Sequence, residues 1–157
     1  MIRCARAIRD SETLAAHAVR DYGRGIAINV GAYPNGLPDE HDAPFLHLFA
    51  AATENEMLGA DETFLMHGVF GACPINAQGE RVIVIEETER TATANGLAIN
   101  GGNLTVENTR DEIISVIRAS ECGAAVKTIR RVENDLSHFP LEWAEFEIEF
   151  YDPETLN

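Results

Sequence analysis

Lysine is almost missing from this chain, with Lys127 the only one in 157 residues. That scarcity removes a phosphate-loop reading of Asn100-Gly101-Gly102-Asn103, because such loops place a lysine beside their glycines to reach the phosphates. A turn fits those four residues better. Basic residues as a whole are few, 12 against 26 acidic, giving a net charge of −14. A surface with that balance repels a phosphate backbone, which argues against specific nucleic-acid binding. The cysteines, Cys4, Cys73 and Cys122, are odd in number and far apart. They fit neither a disulfide framework nor a paired-cysteine zinc site, and suit a reducing compartment. No stretch approaches the ~18 consecutive apolar residues of a membrane span, and Arg3, Arg6 and Arg9 interrupt any secretory apolar run at the N-terminus. No membrane partner and a cytoplasmic location are expected.

What is present is enough apolar material for one core. Hydrophobic residues make up 45% of the chain, so a single domain over 1–157 needs no disulfide or metal staple. The clearest pattern lies at 144–150, where Ala144, Phe146, Ile148 and Phe150 alternate with Glu145, Glu147 and Glu149. Period-two alternation marks a strand with one face on a core and the other on water or a partner. Further strands are expected at Ile26–Val30, Phe45–Ala51, Thr63–Cys73, Val82–Ile85 and Val126–Val132, with a short one at Leu97–Ile99. Gly68 and Gly71 within the third of these point to a bulge or a close backbone approach. A helix is expected over roughly 11–22, with Ser11 as its candidate cap or an earlier start before Ser11, and Gly23 as its stop. A second should start at Thr109-Arg110-Asp111-Glu112, which fits a capping box, and end at Gly123. The expected fold class is therefore α+β, a mainly antiparallel sheet with two helices on one face and an extra β-hairpin around 79–103.

Candidate chemistry is sparse. His41, His47, His67 and Cys73 cluster in sequence around Pro44 and the strand after it, and define a metal- or ligand-binding enzyme alternative. Their spacing lacks the close ligand pair that fixes half of a zinc tetrahedron, and His47, amid Phe45, Leu46, Leu48 and Phe49, reads as a hydrogen-bonded sheet histidine. Cys73 paired with His67 or His138 lacks any glycine elbow or oxyanion loop. Neither a catalytic residue, a metal nor a cofactor is assigned. Glu145, Glu147 and Glu149 project from one strand face about 7 Å apart, a solvated acidic face or one wall of an assembly. The basic residues are uneven: Arg3, Arg6, Arg9, Arg20 and Arg24 stand against Asp10, Glu12 and Asp21 in residues 1–24, whereas the remainder holds seven basic and 23 acidic. A basic end beside an acidic body suits head-to-tail self-association; the other reading is that the five arginines simply solvate a helix, as charge runs usually do.

The order of these features resembles the tail terminator proteins of long-tailed phages and prophages. The resemblance is carried by the arginine-bearing N-terminal helix and the loop Pro34-Asn35-Gly36-Leu37-Pro38-Asp39-Glu40 leading into Asp42-Ala43-Pro44-Phe45-Leu46-His47-Leu48. The strand around Phe64–Phe70 and the turn Phe139-Pro140-Leu141 into an alternating last strand complete it, while residues 79–103 stand outside the pattern. It implies a non-enzymatic virion component whose homo-oligomeric ring, typically a hexamer, caps the tail tube and joins it to the head. Tail-tube and head-completion proteins are the implied partners. A head–tail joining or neck protein is the nearest alternative. On this view Arg3, Arg6 and Arg9 form an oligomer interface with an acidic neighbour, and Glu145, Glu147 and Glu149 form an interface or channel surface.

Overall fold

Ser11 divides the N-terminal helical region in two. Its backbone is extended, with φ −78° and ψ 105°, and its hydroxyl accepts the Leu14 amide at 3.3 Å. That bond satisfies one of the free amides of helix α2, Glu12–Tyr22, as an N-cap serine does. Gly23 ends α2 with φ +78°, a left-handed conformation that a side chain makes costly. Before Ser11 runs a separate helix, α1, Ile2–Arg9, which buries Cys4 and Ile8 one turn apart. The expected helix over 11–22 left open a start before Ser11; the chain instead breaks there and forms a second helix. The computed structural model describes residues 1–31, 38–39, 41–51, 63–75, 101–132 and 141–151, with backbone alone over 101–103.

Helix α3 spans Gly101–Ala119, so Thr109 lies inside it and does not cap it. The reason is visible at its hydroxyl, which donates to the Thr105 carbonyl at 3.0 Å and meets the Tyr22 hydroxyl at 2.5 Å. A threonine whose side chain bonds back one turn needs no cap role. The apolar stripe of Ile113 and Ile117 continues upstream to Val106, all three fully buried. Positions 101–103 of the expected hairpin thus open a helix, while Val82–Ile85 and Leu97–Ile99 lie outside the described residues. The turn expected at Asn100–Asn103 is likewise helical from Gly101. At the other end α3 stops at Ala119, short of Gly123, and a 3₁₀ turn follows at Glu121–Ala125. A Cβ on Gly123 would lie 1.9 Å from the Arg118 carbonyl oxygen, so this tight turn needs the glycine.

Five strands form one sheet: β1 Ala27–Val30, β2 Phe45–Ala50, β3 Phe64–Ala72, β4 Val126–Val132 and β5 Glu142–Phe150. Their spatial order is β1-β2-β3-β5-β4. All neighbours run antiparallel except β1 and β2. The fold is α+β, with three helices against a mostly antiparallel sheet. Alternation places Leu46, Leu48, Met66, Phe70, Phe146, Ile148 and Phe150 on one sheet face, where they form the main core with Ile8, Leu14, Ala18, Val106 and Ile113 from the helices. All three α-helices among the described residues therefore lie on that face, and none of them packs on the other.

The strand glycines mark close approach. Gly68 pairs with Phe146 and Gly71 with Phe45. A Cβ at Gly68 would sit 2.2 Å from Phe146 Cζ, and one at Gly71 would sit 2.4 Å from Phe45 Cζ. Each ring lies across the backbone of its partner glycine, one on either face of the sheet.

Candidate functional site

The face of the sheet turned away from the helices gathers most of the side chains singled out in the sequence. The register brings Phe45, His47 and Phe49 of β2 beside Leu65, His67 and Val69 of β3, and these beside Glu145, Glu147 and Glu149 of β5. At one end Phe45, Val69, Ala43 and Leu141 form a small second core, with Phe49, Cys73 and Trp143 packed against it.

Across the middle runs an aromatic stack. The Phe49 ring lies 4.9 Å from His67 at an interplanar angle of 11°, and 4.9 Å from His47 at 34°. The His47 Nε2–H donates to the Gly31 carbonyl, and the residue is 6% exposed. It is a hydrogen-bonded sheet histidine, as its surroundings in sequence suggest. His67 Nε2 lies 2.9 Å from Glu145 Oε2, and its Nδ1 lies 3.8 Å from Glu147 Oε1. Lys127 Nζ reaches Glu149 Oε1 at 2.9 Å and stands 6.0 Å from the centre of the Tyr151 ring. The hydrogen bond from Lys127 holds the Glu149 carboxyl below the usual carboxylate range.

The three glutamates are consequently half-buried and each faces a nitrogen base or cation of its own chain. Such pairs spread the repulsion that three like charges at two-residue spacing would otherwise concentrate. Of the four residues behind the enzyme alternative, the structure brings His47 and His67 into one stack. His41 is exposed in the turn before β2, where its amide donates to Asp39 Oδ1 at 2.7 Å, and Cys73 belongs to the small apolar cluster. Among the described residues no group of three or more His, Cys, Asp or Glu side chains is arranged to hold a metal ion. His138 lies outside them.

Arg3, Arg6 and Arg9 occupy the opposite side of the molecule, exposed on α1 in the helix layer. Arg9 pairs with Asp10 at 2.8 and 3.1 Å, and that hydrogen bonding holds the Asp10 carboxyl below its ordinary range. Arg3 and Arg6 make no ion pair among the described residues. The other two arginines of the basic segment are engaged locally. Arg20 binds Asp21, and Arg24 donates to the carbonyls of Ala43 and His41, which pins the turn leading into β2.

Two further clusters were not anticipated from the sequence. Burial, with a hydrogen-bonding contact to Cys122, pushes the Cys4 thiol up to about 12, which keeps it protonated and unreactive. Both cysteines are almost fully buried; their positions 118 apart gave no sign of the contact. Arg131 grips Asp111 through Nε and Nη2 at 2.8 and 2.9 Å, and Arg110 adds a contact at 3.2 Å. Burial pushes the Asp111 carboxyl up, but the hydrogen bonds from Arg131 and Arg110 outweigh it and hold it low. Here a signal did exist. Arg131 falls at the inward parity of β4, opposite Phe146, and a cation in that position calls for a partner on the helix layer. No helix among the described residues is long and apolar enough to cross a membrane. No protein-family model matches the chain, and no curated protein matches it in sequence.

Proposed function

We propose that the chain is a non-enzymatic phage morphogenesis protein of the tail-terminator type. Copies of it associate head to tail into a ring that caps the tail tube and meets the head-completion proteins. The observation that carries this reading is the placement of charge on a two-layer domain. Exposed Arg3 and Arg6 lie on the helix side, and the Glu145, Glu147 and Glu149 row lies on the opposite face of the sheet. Charges separated by the thickness of the domain cannot meet within one copy, but they meet readily between successive copies. A contact between two different patches is heterologous, and a heterologous contact closes into a ring when its rotation allows. The overall charge of −14 adds to the account, because an acidic ring lets DNA pass without holding it.

The expected test outcome is specific. In light scattering at low salt the protein should run as an oligomer, and it should dissociate as salt rises, since exposed charge pairs are screened beyond about 10 Å at 0.1 M. Replacing Arg3, Arg6 and Arg9 together by Glu should weaken assembly at low salt by at least about tenfold, the size expected when several favourable charge contacts become repulsive. An oligomer unaffected by that reversal would remove these arginines from the interface.

A further inference from the structure

Arg110 places a cation on the apolar stripe of a helix. It stands one turn after Val106 and one turn before Ile114 on α3, and like them it is buried, with 5% of its surface exposed. A charge in that position is costly unless its hydrogen-bonding groups are met, and a guanidinium carries five N–H donors. Among the described residues Arg110 uses only its Nε–H, which donates to Asp111 Oδ1 at 3.2 Å. Its terminal edge, Nη1 and Nη2, meets no acceptor there. Neither of those nitrogens is sealed from water as a buried orphan, so the part of the side chain that reaches solvent is this unfilled edge.

Asp111 does not answer the need. Its Oδ1 also accepts Arg131 Nε at 2.8 Å, and its Oδ2 accepts Arg131 Nη2 at 2.9 Å, so both oxygens are occupied. The shared Oδ1 sets two guanidinium groups side by side, one rooted in the core and one 62% exposed on β4. A planar fork with free parallel donors is the natural receptor for a group with two parallel acceptor oxygens. Charge narrows the choice. Asp111 and Glu107, one turn earlier on α3 and within electrostatic range of Arg131, already balance the two arginines, so what is unmet is hydrogen bonding. A singly charged carboxylate supplies it with less repulsion from those two acids than a doubly charged phosphate.

We infer that the Arg110 edge, with Arg131 beside it, is a binding site for a carboxylate, supplied by a small free acid or by an acidic side chain of another protein. The inference does not depend on the ring-forming reading. It assigns a use to the buried arginine that neither the packing of α3 nor the Asp111 contact requires.

The test is a titration of the folded protein followed by nuclear magnetic resonance of its arginine Nε–Hε groups, with ionic strength held constant by chloride. Sodium acetate should shift the Arg110 signal saturably and leave those of exposed Arg3 and Arg6 in place, and inorganic phosphate should bind more weakly. Arg110→Met keeps a buried stem without the fork, and Arg110→Lys keeps the charge without it. Each should lower acetate affinity, read at the Arg131 signal, by at least about tenfold, the scale of one lost hydrogen bond to a charged group. Circular dichroism checks that the variants fold; if neither does, the titration of the parent decides alone. A blocked peptide of alternating glutamate and alanine separates the two sources. Tighter binding than acetate identifies a protein side chain as the ligand, and weaker binding identifies a small acid. No saturable shift with acetate, the same shift when chloride replaces it, or tighter binding of phosphate overturns the inference.

Discussion

Tyr22 ties two helices together through one hydroxyl. Its ring packs edge-on to Phe70 with centroids 5.6 Å apart, and its oxygen meets Thr109 Oγ1 at 2.5 Å and the Thr105 carbonyl at 3.2 Å. Burial raises the phenol well above its ordinary value despite the Thr109 contact, so the group stays neutral at any pH the fold encounters. Tyr22→Phe keeps the ring contact and removes the oxygen, while Thr109 retains its bond to Thr105. The expected cost is about 1 kcal/mol, the typical net worth of one hydrogen bond, read as a lower urea midpoint at unchanged m-value. The same residues show how local signals mislead. Thr109-Arg110-Asp111-Glu112 has every chemical mark of a helix start, yet its threonine is satisfied by Tyr22, a residue 87 positions away. A cap pattern reports only that a side chain can bond to the backbone nearby; burial against another helix decides which bond it makes.

At the scale of elements, β3 is the strand on which the sheet depends, because it is bonded to β2 on one side and β5 on the other. Its glycines are what allow Phe146 and Phe45 to lie flat across it. Gly68→Ala should destabilise the protein by about 1–3 kcal/mol, as overpacking a filled core does, with thermal unfolding as the readout. An unchanged melting temperature would show that Phe146 can move aside. The alternating run of β5 was plain in the sequence because a strand with one buried face must repeat every two residues. Strands β1, β2 and β4 were visible for similar reasons. Helix α1 was legible only as an earlier start of the helix at 11–22, since Cys4 and Ile8 are its only buried residues and the break at Ser11 leaves no apolar signal. The parallel pairing of β1 with β2 was not legible, since it joins two segments apart in sequence and leaves no local pattern. The expected 79–103 hairpin lies largely outside the described residues, and its last three positions belong to α3.

For the whole molecule, the decisive feature is that helices cover one face of the sheet and charged and aromatic side chains cover the other. The residues of the candidate surface could be picked out individually from the sequence, but their arrangement could not. Nothing local places Arg3 and Arg6 opposite Glu145, or gives His67 to two glutamates and Lys127 to a third. Those pairings make the glutamate row a structured, partly neutralised surface in place of a bare acidic wall. A domain built this way presents different patches front and back, and the proposed function has these patches meet head to tail. The most direct measurement is electron microscopy of the purified protein at low salt. Closed rings of one fixed subunit number are the expected result, whereas isolated monomers, or dimers joined by the same patch on both copies, would contradict head-to-tail assembly.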